Sequence, residues 1–421
     1  MKTLCNLLLS GWALGSTLAF AADGDITRLT ELNRSGQSAQ AYQLASSMLA
    51  NWEADPQFDR QYAQAALAAG RPGEAIFALE RLLLMDPQDS ATRAELARAY
   101  ALLGSQPLLQ ADLTTPPAAA AHLQAGFSGY LAMGAGYGEN LDAGPDQNQM
   151  LTPSGQVQVP GLSQRDDAFG SLRAGLRYQF PLAEHWRGYA EGNAAARWHQ
   201  DADDLDSLNA ALRAGGIRET TRGRLELAVQ GQQYRLDDQR WLDAAVLSVD
   251  YLHAISEQLS IGPFASVSQQ NHTLDEFDSR LWLAGVQLNW RVQHQLAPTF
   301  YAGLYGGNEN PRDATAASAG RSDRDLRAGF LGLRLEPSER VWLNAEATRV
   351  QSRFAGPLQL VVPATANDRR DDFSELRLDV GWRLDQRWST QLSYLFHDND
   401  SNTDLLKYQR QQAELTLRRE F

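Results

Sequence analysis

Residues 171–180 read SLRAGLRYQF. The odd positions Ser171, Arg173, Gly175, Arg177 and Gln179 are polar or small, while the even positions Leu172, Ala174, Leu176, Tyr178 and Phe180 are apolar. A period of two belongs to an extended strand, whose successive side chains point to opposite faces. One face of this strand seeks an apolar medium and the other seeks water. The alternation returns along the chain and predicts fourteen strands, near 123–137, 168–180, 186–199, 207–218, 224–235, 241–253, 259–270, 279–291, 298–307, 325–335, 341–353, 373–384, 388–397 and 408–421. They exceed the ~5–6 residues usual in soluble sheets and reach the ~9–11 that a tilted strand needs to cross a bilayer. A soluble sandwich of so many one-sided strands would expose too much apolar area. The predicted fold over 123–421 is a 14-stranded antiparallel transmembrane β-barrel.

The connections support this. "PLAEH", "TTRG", "SEQ", "EPSER" and "DQR" are short turns, whereas 138–167, 308–324 and 354–372 are long. An even strand number with one short-turn rim and one long-loop rim is the outer-membrane arrangement, with both termini on the periplasmic side. Tyr178, Phe180, Trp186, Trp198, Trp241, Tyr251, Trp290, Trp382, Trp388 and Tyr394 lie toward strand ends, where amphipathic rings suit headgroup level. A mean hydropathy of −0.41 fits such a barrel, since its apolar residues are diluted by alternation.

The first part of the chain has another period. Lys2, the apolar stretch Leu7 to Phe20 and the pattern Ala19-Phe20-Ala21 predict a secretory leader over 1–21. The single cysteine, Cys5, falls within it, so neither disulfides nor thiol chemistry are expected afterwards. A net charge of −13 argues against a nucleic-acid partner. Residues 22–110 carry apolar residues at helical spacing, and Gly36, Gly70 and Gly104, like Ala41 and Ala75, recur at the tetratricopeptide period. Glycine lets a helix hairpin close, small Ala75 permits tight helix contact, and Pro87 after Asp86 ends a helix. Residues 111–122, with Pro116 and Pro117, read as a linker. The whole is an α+β multidomain chain, a short helical tetratricopeptide-like segment followed by the barrel.

Strand parity turns Arg173, Arg177, Arg187, Glu191, Arg197, Arg213, Glu226, Asp250, Arg291, Glu346, Glu375, Arg377, Asp379, Arg383, Arg410, Glu414 and Arg418 inward. Both signs are interleaved. A pore tuned to one ion sign favours a ring of one charge, so the mixture points to a salt-bridged interior that braces the wall. A lumen of this size admits small solutes and excludes a folded protein. Gly126, Gly129, Gly134 and Gly136 in the first strand have two readings. They relieve crowding and permit curvature, or they weaken pairing so that the seam with the last strand parts laterally.

Catalysis is not expected. His122, His185, His199, His253, His272, His294 and His397 include no pair at metal-ligand spacing. His199 with Asp201, or His397 with Asp398 and Asp400, could form rim sets, but no nucleophile stands at a diagnostic distance from them. No metal and no cofactor is expected.

Residues 134–146, GAGYGENLDAGPD, resemble the Gly-x-Gly-Tyr-Asp-Ser-Asn-x-Asn stretch of the surface lipoprotein assembly modulators at Gly134, Gly136, Tyr137 and Asn140. Gly138 and Glu139 replace the Asp-Ser pair, and Asp142 stands where the second Asn would be. Residues 398–421, DNDSNTDLLKYQRQQAELTLRREF, are similar to that family's ending at Asn399, Ser401, Asn402, Tyr408, Arg410 and Phe421. A strand closing on Phe421 also resembles the signal read by the outer-membrane assembly machinery. The resemblance implies an outer-membrane translocator of type XI secretion, in contact with outer-membrane lipid. It would assist export or surface display of a client lipoprotein or small secreted protein received by periplasmic repeats. A pore for polysaccharide or small solutes is the alternative, and the helical segment argues against a passive porin.

Overall fold

A computed structural model of the chain describes residues 26–52, 55–69, 71–85, 89, 91–92, 95–96, 99, 125–144, 149–152, 155–158, 164–273, 277–358 and 367–421. They belong to two compact units, one within 1–103 and one within 104–421. The predicted leader 1–21, the linker 111–122, Gly70, Asp86, Pro87 and Gly104 lie outside the described residues.

The first unit is helical: α1 (26–34), α2 (Ser38–Trp52), α3 (Pro56–Ala68) and α4 (Pro72–Met85). Gly36, at φ +72°, makes the left-handed turn from α1 to α2, a conformation that suits a residue without Cβ. Asp55 caps α3 by accepting from the amides of Gln57 and Phe58, and Pro56 occupies the first turn, where no amide donor is needed. The apolar stripes meet at Leu29, Ala41, Ala45, Phe58, Ala66, Ala75, Ile76 and Leu79, all buried. Ala41 and Ala75 are fully buried, so a larger side chain at either would push two helices apart. Asp59, also fully buried, is held by Arg81 through a two-pronged contact of 2.7 and 2.9 Å.

The second unit is a sheet closed on itself. Its strands are β1 (Gly126–Glu139), β4 (Asp167–Ala183), β5 (Trp186–His199), β6 (Ser207–Thr220), β7 (Gly223–Leu236), β8 (Gln239–Ala254), β9 (Leu259–His272), β10 (Ser279–Arg291), β11 (Thr299–Pro311), β12 (Arg324–Leu335), β13 (Val341–Phe354), β14 (Arg370–Arg383), β15 (Trp388–Ser401) and β16 (Tyr408–Glu420). These fourteen pair antiparallel with their sequence neighbours, and β1 closes on β16. A separate hairpin, β2 (Gln149–Thr152) with β3 (Gly155–Gln158), lies in the first long connection, which the sequence reading left without strands.

Burial is inverted relative to a water-soluble protein. Leu212, Leu304 and Leu331 are 74%, 70% and 60% exposed, while Glu414, Glu375 and Asp379 are 5%, 7% and 8% exposed. Apolar residues face out and charged residues face in, as the membrane and a polar lumen require of alternating strands. Outward rings near the short-turn ends include Phe127, Tyr178, Trp290, Trp382 and Trp388, with Trp282, Trp198 and Tyr137 toward the long-loop ends. Trp241 departs from the expected girdle and is buried. In the β7–β8 ladder Tyr234 pairs with Leu242 and Arg235 with Arg240, so Trp241 is the extra residue of a bulge. Bulges re-aim side chains, and parity fails there. β11 also runs beyond its predicted end, because Asn308, Glu309 and Asn310 still pair with Trp282, Leu281 and Arg280.

Candidate functional site

The lumen wall and its closing seam carry the residues singled out above. β1 lies between β16 and β4, with Gly134 opposite Thr416 on one side and Ser171 on the other. Pairing runs from Tyr130↔Glu420 to Glu139↔Gln411, and the Phe421 and Gly129 backbones exchange hydrogen bonds of 2.9 and 3.0 Å. The seam is closed down to the last residue. The bare inner face of β1 is filled by its neighbours. Glu414 accepts from Ser171 and Arg173, both at 2.5 Å, across the intervening strand. A Cβ on Gly134 would run into Glu414 Oε1 and Ser171 Oγ, and one on Gly136 into the Phe169 ring and the Ala413 carbonyl. Gly129 is likewise crowded by the Phe421 ring and the Gly175 carbonyl, whereas Gly126 faces open space. Crowding accounts for three of these four glycines.

Beside this cluster, Arg197 lies over the Phe169 ring at 4.2 Å, donates to Gln412 at 3.1 Å and stands 4.0 Å from Glu414. Arg410 shares the Gln412 oxygen at 3.5 Å. Arg418 lies over the Tyr130 ring at 3.8 Å. Around the wall, Arg177 meets Glu191 at 3.2 Å and covers the Tyr189 ring, and Arg187 meets Glu219 at 2.5 Å. Arg213 and Glu226 pair at 3.0 Å, both bonded to the Tyr189 hydroxyl. Glu375 lies 2.8 Å from His397 Nε2 and 3.9 Å from Arg377. Asp379 accepts from Gln391 at 3.0 Å and Asn344 at 3.3 Å, Glu346 from Tyr301 at 2.9 Å, and Asp250 from Gln287. Arg383 lies 3.9 Å from Glu336, and Arg291 stands exposed at the short-turn end of β10. Opposite charges in so confined a space link strand to strand and stiffen the wall.

The motif residues near the long-loop rim fasten loops. Asn140, at φ +53°, bonds the Gly144 carbonyl at 2.9 Å and the Gln409 carbonyl of β16 at 2.7 Å, continuing the seam with a side chain. Asn399 bonds the Leu406 carbonyl at 2.6 Å, Ser401 bonds Asp371 at 2.7 Å, and Asn402 bridges the Arg370 amide and the Asp368 carbonyl. Tyr137 points outward and is half exposed, Tyr408 lies on the inner parity with Arg410, and the Phe421 ring is exposed at the opposite rim.

The rim sets do not assemble. His199 Nδ1 stands 3.2 Å from Asp206 Oδ1, while the Asp201 amide donates to Asp167. Asp398 accepts from Gln409 at 3.1 Å and does not meet His397. Among the described residues no group of three His, Cys, Asp or Glu could hold a metal ion.

Sequence reading missed Tyr189 and Tyr301, although each sits at a lumen parity that could have found it. It also missed Arg165, which clamps Asp142 at 3.0 Å and Asp204 at 2.7 and 2.9 Å, joining the first two long-rim connections. Burial alone would lower this guanidinium, but Asp204 and Asp142 outweigh it and hold Arg165 above its ordinary pKa.

Among solved structures, the chain is similar to the outer membrane channel DcaP of Acinetobacter baumannii, with 11% identity, 70% of this chain and 97% of that one covered, and a TM-score of 0.41. It is similar to the outer-membrane expressed OmpT of Vibrio cholerae, at 9% identity, 70% and 97% coverage and a TM-score of 0.39. OccAB3 of Acinetobacter baumannii follows, at 9% identity, 70% and 99% coverage and a TM-score of 0.37. None of the curated proteins matches the chain in sequence. The family model of the surface lipoprotein assembly modifiers matches residues 128–421, which is the barrel from within β1 to Phe421 and well over half of the sequence. The chain belongs to the surface lipoprotein assembly modifier family.

Proposed function

We propose that this protein is an outer-membrane translocator that assists a client lipoprotein, or a small secreted protein, to the cell surface. The family match over the barrel carries the reading, since surface lipoprotein assembly is what that family's description names. In this scheme residues 1–21 direct secretion, residues 22–110 stand in the periplasm and receive the client on tetratricopeptide-like helices, residues 111–122 link, and residues 123–421 span the membrane. The fully buried Ala41 and Ala75 support the repeat reading, because a helix hairpin needs small residues at its tight contacts. Phe421, closing the last strand, would be read by the outer-membrane assembly machinery. The inner charges, Arg173, Arg177, Glu191, Arg197, Arg213, Glu226, Glu375, Arg377, Asp379, Arg383, Arg410 and Glu414, brace the wall around which the client passes. No catalysis is assigned.

The test is deletion in the host followed by comparison of surface proteomes. Loss of one surface-exposed or secreted protein supports the reading and names the client. An unchanged surface with altered uptake of polysaccharide or small solutes overturns it in favour of a pore.

A further inference from the structure

The outer face of the barrel is apolar over its middle, and its long-loop rim carries polar side chains, among them a cluster of arginines. On β13 the outward positions nearest the long-loop rim are Arg349, Gln351 and Arg353, all exposed, while their inward neighbours Val350, Ser352 and Phe354 are buried. The ladder sets Arg353 opposite Arg370 of β14 and Asp325 of β12, and Gln351 opposite Arg327 of β12 and Asp372 of β14. Arg327, Arg349, Arg353 and Arg370 therefore share one outward patch on three adjacent strands, and all are exposed. Two acids accompany the four arginines: Asp325 and Asp372. Asp372 is engaged by Arg349 at 3.4 Å and by Gln351 at 2.8 Å. Among the described residues, the side chains of Arg327, Arg353 and Arg370 have no ion pair or hydrogen bond.

Immediately toward the membrane, on the same face, stand exposed Leu331 and Leu376, with Ala347 beside them. The arginines thus sit on the upper edge of the apolar band, where a side chain leaving the wall meets lipid headgroups. Elsewhere on this rim outward arginines are sparser: Arg280 of β10 stands exposed beside Asn310 and Gln269, and Arg240 of β8 is paired with Asp243. At the corresponding end of β15, β16 and β1 the outward residues are Asp398, Asp400, Gln409, Gln411 and Glu139, where the carboxylates repel an anion and the two Gln amides donate to Asp398 and Glu139.

We propose that this patch binds the phosphate groups of a phosphorylated glycolipid in the outer leaflet. Guanidinium matches phosphate with two parallel donors, which suits it to hold a headgroup against a wall. The leucines below the patch receive the acyl chains. Charge complementarity selects an anionic lipid, and the apolar band directly beneath selects a lipid over a free anion or an acidic peptide. The assignment of the leaflet follows from the rule that long loops face outward in outer-membrane barrels. It is independent of what the barrel exports.

The test uses the full-length protein in a neutral maltoside detergent and native mass spectrometry. The probes are bis-phosphorylated lipid A, the same lipid with its phosphates removed, and inorganic phosphate. The wild type is expected to retain the phosphorylated lipid at least about tenfold more tightly than the dephosphorylated one, with no displacement by millimolar phosphate. R327Q/R349Q/R353Q/R370Q is expected to lose that preference. R353Q/R370Q, which removes two side chains without partners and so leaves the fold intact, is expected to lose part of it. Equal binding of both lipids by the wild type, unchanged binding by either variant, or displacement by inorganic phosphate would overturn the proposal.

Discussion

Glu414 of β16 and Arg173 of β4 are joined by a 2.5 Å ion pair that passes over β1, the strand between theirs. Glycine at 134 makes the passage possible, because any Cβ there would meet the Glu414 carboxylate. The seam of the barrel is therefore fastened twice, by the backbone ladder of β1 with β16 and by side chains that reach across β1 to β4. On this strand the neighbours crowd Gly129, Gly134 and Gly136, so the glycines that look weak in sequence are where the wall closes over β1.

Replacing Glu414 by Gln should loosen this fastening. Glu414 is buried and Arg173 is about one third exposed, so the loss should fall between the ~1 kcal/mol of a surface pair and the ~3–5 kcal/mol of a fully buried one. The midpoint of urea unfolding, followed by tryptophan fluorescence in detergent, should fall. An unchanged midpoint would show that the pair contributes nothing to the seam.

The glycines of β1 should not be equivalent. Gly136→Val drives a branched side chain into the Phe169 ring and the Ala413 carbonyl, and backbone cannot yield as a flexible side chain does. Gly126→Val enters open space. Yield of folded, heat-modifiable barrel should drop for the first and hold for the second. Equal yields would remove crowding as the reason for glycine here.

These contrasts mark how far alternation can be read. Every predicted strand forms, because a period of two sustained over a dozen residues fixes which face meets lipid, and Leu172 or Leu415 admits only one placement. The same parity sets the inner charges on the lumen side. Who pairs with whom was not legible. Glu414 and Arg173 are far apart in sequence and meet only because the barrel closes, and Arg165 finds Asp204 only through the fold of two loops. Trp241 was misread because a bulge adds a residue that no alternation signals. Asn399, Ser401 and Asn402 were noticed through family resemblance, yet their partners, the Leu406 carbonyl, the Asp371 carboxylate of β14, and the Arg370 amide with the Asp368 carbonyl, could not be placed from sequence alone.

Cross-linking the seam separates the two routes a client could take. Ala135 and Leu415 are partners in the β1–β16 ladder on its outward side, and the one native cysteine, Cys5, lies in the predicted leader. The Ala135→Cys/Leu415→Cys variant should close oxidatively and, since crowding already explains the glycines, retain surface display of the client. Loss of display on oxidation, restored by reductant, would show that the seam has to part.

The helical unit should answer to acid before the barrel does. Asp89 lies partly buried, which alone would raise its pKa, but hydrogen bonds from Arg60 at 2.8 Å and Thr92 at 2.7 Å prevail and lower it to about 2. A carboxylate depressed in the folded state contributes stability that is fully present above its unfolded pKa of ~3.9 and is lost as pH falls toward 2. Exposure of Arg60 screens the pair, so about 1–2 kcal/mol is expected from it. Helical circular dichroism of the full chain should therefore weaken between about pH 4 and 2 while the barrel keeps its strand signal. In Asp89→Asn the helical signal should be weaker already at neutral pH and should vary less across that window. A variant with the wild-type acid transition would remove Asp89 as its origin.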